Sequence, residues 1–174
     1  MGLYEKALPV HLNWHERLQT AAQAGYDFLE ISIDDSDERI ARLDWSAQKR
    51  AAVRQAVRDT EVPLLSMSLS SHRRFALGSA SAERRQKGQD IFAKAIDLAV
   101  DLDLRTILVA GAENYYEERD EASRARFLES LGYAFEKASG LGVMLALENW
   151  DIQINSIDRA MEYVDYFNSP WFQL

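Results

Sequence analysis

Apolar and polar positions alternate along this chain in long blocks. Short runs rich in branched residues stand at residues 28–34 (FLEISID), 63–70 (PLLSMSLS), 106–114, 142–151 and 171–174, and residues 3–8 have weaker strand character. The runs begin every 29 to 43 residues, the size of a strand–helix unit with loops of variable length. Between them the period changes to that of a helix. Ala52, Val53, Ala56 and Val57 line up one apolar stripe behind Ser46, a candidate N-cap. Ile91, Ala95, Leu98, Ala99 and Leu102 form the next stripe, and Phe127, Leu128, Leu131, Ala134, Phe135 and Ala138 the one after. Gly25 and Gly140 stand where helix ends favour a residue at positive φ.

Strands that alternate with helices, each strand nearly continuous in apolar character, predict an α/β protein with a buried parallel sheet. A closed barrel and an open doubly wound sheet both fit this pattern. An eight-fold barrel takes about 250 residues, so 174 residues would cover five to six of its units. No Pro-, Gly- or Ser-rich run marks a linker, which makes residues 1–174 one domain.

Composition narrows the function. The 20 Lys and Arg against 28 Asp and Glu leave a net charge of −8, a poor endowment for gripping a phosphate backbone, so nucleic acid is not the expected partner. The absence of cysteine excludes a disulfide scaffold and thiolate metal sites, and it suits the cytoplasm. No apolar stretch approaches the roughly 20 residues of a membrane span, so no membrane partner is expected. Glycine-rich phosphate loops, HExxH, GxSxG and GxGxxG are also missing.

Ligands of parallel α/β folds gather at the carboxyl ends of the strands, so the polar residues ending each run are the candidates. These are Glu5 and Lys6, Asp34 and Asp35, Ser70 to Arg74, Glu113 to Tyr116, and Glu148 to Asp151. Glu148 is the sharpest: a carboxylate emerging from a buried strand needs a cation, hydrogen bonds or a neighbouring salt bridge. Either a metal or a structural ion pair would serve. His72, beside Arg73 and Arg74, reads as an anion-binding group or as part of a solvated loop. His11 and His15, four residues apart without further ligands near them, read as surface or capping residues. The run DDSDE at 34–38 lacks the spacing of a calcium loop and reads as a polar rim with a helix cap. Trp14, Trp45, Tyr115, Tyr116 and Trp150 are either pocket wall or core.

Four stretches carry a resemblance: GLYEKALP at 2–9, DERIARLDWS at 37–46, SLSSHRRFALGS at 68–79 and NSPWFQL at 168–174. Together they resemble the L-ribulose-5-phosphate 3-epimerase group, also called L-xylulose-5-phosphate 3-epimerase and often labelled hexulose-6-phosphate isomerase. The resemblance implies a barrel of the xylose-isomerase-like type and C3 epimerisation of a phosphorylated ketopentose through an enediolate. It implies a divalent metal, zinc or manganese, acting as Lewis acid, and two carboxylates that exchange the proton on opposite faces. It carries Glu148 over as metal ligand and acid/base. His72 and Arg73 become substrate contacts, as do Glu5, Lys6, Asn155 and Ser156. The remaining ligands and the second carboxylate would follow NSPWFQL in such enzymes. The expectation is therefore the N-terminal two-thirds of a barrel, inactive by itself. Two other readings stand beside it: an oligomerising fragment whose unpaired sheet edges recruit a second copy into a homo-oligomer, and an endonuclease IV-like repair enzyme, which the charge and the three histidines disfavour.

Overall fold

The computed structural model describes residues 1–150 and 153–174. Six parallel strands form one sheet: β1 (Gly2–Tyr4), β2 (Phe28–Ile33), β3 (Leu64–Leu69), β4 (Thr106–Ala110), β5 (Met144–Glu148) and β6 (Phe172–Gln173). Around it run α1 (Trp14–Gln23), the short α2 (Asp37–Ile40), α3 (Ala47–Thr60), α4 (Ala82–Asp101), α5 (Ser123–Gly140) and α6 (Ile157–Phe167). Residues 3–8 extend only through Tyr4 before a 3₁₀ turn at Glu5–Ala7. The run at 142–151 is strand over Met144–Glu148, and its last member, Asp151, lies outside the described residues.

Strand order decides between the two architectures. The strands neighbour one another in strict chain order, β1 to β6, with no reversal. Right-handed crossovers then put every helix on the same face. A doubly wound sheet would change direction at a switch point; this one does not. A sheet covered on one face only has to curl around the other, and the result is a partial (β/α)8 barrel.

Burial follows the same division. Leu29, Ile31, Ile33, Met67, Leu69, Ile107, Val109, Leu145 and Leu147 are sealed beneath the helices. The alternate residues line the concave inner face, as the two-residue period of a strand requires. In register across the sheet, Tyr4, Glu30, Ser66, Thr106 and Met144 form one inner layer. Ser32, Ser68, Leu108, Ala146 and Gln173 form the next, and Ala110 and Glu148 the uppermost.

The helix starts obey local chemistry. Ser46, Ser36, Ser81 and Ser156 each accept a hydrogen bond from the third backbone N–H of the following helix, and Asn13 heads a full capping box with Glu16. Gly25 takes φ 81°, as its place predicts. Gly140 does not; it is the last residue of α5, and the left-handed turn falls on Gly142 at φ 73°. Among the described residues no helix is long and apolar enough to cross a membrane.

Candidate active site

The carboxyl ends of the strands gather the candidate residues at one mouth. Glu148 ends β5 on the inner face, half-buried. Burial, and after it the negative charge of Glu30, raises its pKa above the ordinary carboxylate value, while the Arg73 guanidinium pulls the other way. A carboxylate in this state takes up a proton readily or welcomes a cation. Close backbone packing sets its height: a Cβ on Gly111, just past β4, would collide with the Glu148 carbonyl. Only glycine lets the two chains approach there.

Arg73 reaches the same mouth from the 3₁₀ turn Ser71–Arg73 after β3. Its Nη2 lies 3.2 Å from Asp35 Oδ1, its Nε donates to the Ser70 carbonyl at 3.3 Å, and its guanidinium stands 5.8 Å from the Tyr115 ring centre. Asp35 also accepts from the Tyr116 hydroxyl at 3.1 Å. Tyr115 packs edge-on against Trp150, with centroids 5.9 Å apart. Loops after β2, β3, β4 and β5 thus meet in a wall of aromatic rings and one guanidinium, the guanidinium of Arg73 being near enough to act on the Glu148 charge. Tyr115, Tyr116 and Trp150 belong to that wall. Trp14 is core, stacked edge-on against Trp45 at 5.9 Å.

Other expected site residues make contacts of their own. Glu5 does not stand at the rim. It is fully buried, its two oxygens accept from Arg42 Nη1 at 2.7 and 3.0 Å, and it also pairs with Arg39. His72, expected against substrate, is 3% exposed with Nε2 3.1 Å from the Gly88 carbonyl of α4. Burial pushes its pKa down to about 4, against a smaller opposing effect of that hydrogen bond, so the ring is neutral. Lys6 remains near the rim but is paired with Asp34, whose pKa the ion pair and Ser36 lower against the opposing effect of burial. Asn155 is exposed and Ser156 caps α6. His11 and His15 are exposed, and Ser36 in the DDSDE run caps α2.

One group escaped the sequence reading. Glu30, in the middle of β2, accepts from Ser66 Oγ at 2.6 Å and contributes the inner-face charge nearest in effect to Glu148. Its signal was parity: a lone acid alternating with Leu29, Ile31 and Ile33 has to face inward. Glu113, fully buried after β4, accepts from the Tyr163 hydroxyl of α6 at 2.5 Å and pairs with Arg119 at 2.7 Å. The Gln153 side chain bonds the backbone of Asn114 in both directions, at 3.2 and 2.5 Å. These bonds fix the loop that carries Tyr115 and Tyr116.

Residues 18–174 match the family described as Xylose isomerase-like TIM barrel. The chain belongs to that family. In sequence this xylose isomerase-like barrel is 47% identical over its whole length to L-ribulose-5-phosphate 3-epimerase UlaE of Escherichia coli O1:K1 / APEC, of which it spans 62%. In structure it is similar to D-psicose 3-epimerase solved in the presence of D-fructose, with TM-score 0.80, 18% identity, and coverage of 98% of this chain and 61% of that one. It is also similar to a xylose isomerase-like protein from Mycobacterium smegmatis in complex with magnesium, with TM-score 0.69, 16% identity, and coverage of 97% and 56%. These likenesses confirm the barrel fold.

The metal can be tested against the residues present. Glu148 has the chemistry of one ligand, but among the described residues no group of three His, Cys, Asp or Glu side chains is placed to hold an ion. The described residues therefore do not form a metal cage by themselves.

Proposed function

We propose that this barrel is the larger part of a cytoplasmic sugar-phosphate 3-epimerase that interconverts L-ribulose 5-phosphate and L-xylulose 5-phosphate. Glu148 carries the reading. It stands at the carboxyl end of β5, half-buried, with its proton affinity raised by burial and by Glu30. A group so poised takes the proton from C3 on one face of the sugar, and a second acid on the opposite face would return one, the exchange that inverts the centre by an enediolate route. Arg73, in the same mouth, offers forked donors to the phosphate, and the ring of Tyr115 beneath it limits where that guanidinium can go. The Tyr115–Trp150 wall gives the sugar an apolar flank and keeps water from Glu148. The name of the 47%-identical relative supports the same substrate class. A divalent ion such as zinc or manganese would polarise the substrate's oxygens; Glu148 would share it with donors outside the described residues, and no step above depends on it.

The test uses this chain completed with the part of the Escherichia coli relative that lies outside the matched region. Wash-in of solvent deuterium at C3 of L-ribulose 5-phosphate, followed by NMR, reports the proton exchange directly. Replacing Glu148 by Gln should lower turnover by about 10²–10⁴-fold with the fold intact. Turnover within a few-fold of the parent would remove Glu148 from the chemistry, and no exchange at all in the parent would remove the substrate assignment.

A further inference from the structure

Adjacent residues of the turn after β3 make quite different contacts. His72 enters the seam against α4, where its ring centre lies 5.0 Å from that of Phe92 and its Nε2 3.1 Å from the Gly88 carbonyl oxygen. A carbonyl only accepts, so the neutral ring must carry its proton on Nε2. Gly88 makes the approach possible, because a Cβ there would stand 2.5 Å from the Phe75 carbonyl. The turn is thus seated on α4 by a bare glycine and one hydrogen bond. Arg73, the next residue, extends instead to Asp35 and over Tyr115. Its own anchor within the turn is a long one, the 3.3 Å bond from Nε to Ser70. A long side chain held this loosely takes its direction from the backbone beneath it.

We propose that His72 is a positioning residue: its hydrogen bond to Gly88 locks the turn onto α4 and so aims the Arg73 guanidinium into the mouth. The role of Arg73 toward phosphate rests on the function proposed above; the aiming of its side chain does not. A histidine that merely filled space would be replaced without loss by phenylalanine. A histidine that positions is replaced only by a side chain that keeps the donor. Glutamine does so, because its Nε2 lies as many bonds from Cα as that of histidine.

The first measurement is hydrogen exchange at Arg73 Nε–H in the 174-residue chain, the resonance identified by its loss in Arg73→Lys. His72→Phe should speed that exchange on the order of tenfold, and His72→Gln should keep it within about twofold of the parent. The second is steady-state kinetics in the completed enzyme. His72→Phe should raise KM for L-ribulose 5-phosphate on the order of tenfold with kcat within about twofold, and it should add nothing in an Arg73→Lys background. Unchanged exchange in His72→Phe, or KM effects that multiply in the double variant, would overturn the proposal. Should His72→Phe fail to fold, a folded His72→Gln with a freely exchanging Arg73 would overturn it equally. A completed parent enzyme without epimerase activity would count against the functional reading, and the exchange measurement would still decide the positioning.

Discussion

Glu5 begins the turn after β1 with no accessible surface, and two arginines depend on it. Arg42 Nη1 donates to both carboxylate oxygens, at 2.7 and 3.0 Å, and lies 3.4 Å from the Ser32 carbonyl. Its guanidinium also stands 5.5 Å from the centre of the Trp14 ring and 5.7 Å from that of Trp45. Arg39 pairs with the same carboxylate, and both arginines are less than a tenth exposed. Glu5→Gln keeps the shape and removes the charge, which leaves two buried guanidinium groups facing a neutral amide. Breaking a buried pair in this way costs about 3–5 kcal/mol, because an uncompensated charge stays behind. At about 2–4 °C per kcal/mol for a domain of this size, the melting temperature should fall by roughly 6–20 °C. Thermal denaturation of the 174-residue chain, followed by circular dichroism, measures it. Asp44→Asn is the internal control: its partner is Lys94, both side chains are about half exposed or more, and its loss should shift the midpoint by no more than about 2–4 °C. A Glu5→Gln variant that melts within about 2 °C of the parent would mean that the carboxylate is not what neutralises the two arginines.

Two further outcomes follow from buried polar groups. Tyr163→Phe removes the 2.5 Å hydrogen bond to the fully buried Glu113 and leaves Arg119 as its partner, so urea denaturation should show a loss of about 1–3 kcal/mol; a neutral effect would contradict the contact. The His72 ring, with a pKa of about 4 in place of the ordinary 6.5, is neutral in the folded chain where the unfolded chain binds a proton. Its contribution is therefore complete above pH 6.5 and is lost as pH falls toward 4, at no more than about 1.4 kcal/mol per pH unit. Glu148, with a raised pKa, acts in the opposite sense, so the observable is the difference between parent and His72→Gln in urea melts from pH 7 to 4.5. That difference should narrow as the pH drops, and parallel curves would refute the neutral, buried imidazole.

The alternation of strand and helix was plain in the sequence because each helix-facing strand residue is apolar and every helix start except that of α5 carries its own capping side chain. Ser46 could be named from local chemistry alone. Gly140 was misjudged because two glycines stand two residues apart, and which of them takes the positive φ depends on where α5 makes its last hydrogen bond. Barrel and open sheet could not be separated by reading along the chain, since strand order is a property of pairing. The site divides in the same way. Glu148 was legible as a carboxylate ending a buried run. Glu5 and His72 looked like rim residues because their partners, Arg42 and Gly88, are 37 and 16 positions away, and no local pattern announces such pairings.

Glu30 lies in the middle of β2, below the ring of strand ends. Ligands of parallel folds are expected at the ends of the strands, whereas here the inner face is polar well below the mouth: Tyr4 and Ser32 share a hydrogen bond at 2.9 Å, and Ser66 donates to Glu30 at 2.6 Å. Barrels of this kind ordinarily fill their centre with layers of branched apolar side chains. Here the apolar burial that supports folding lies almost wholly between sheet and helices, where Ile31, Met67, Val109 and Leu145 are sealed. Substitutions on the inner face should therefore act on the charge environment of Glu148 more than on stability, while those on the outer face should do the reverse. The two-residue period of the strands is what separates the two roles, and it does so from the first layer to the last.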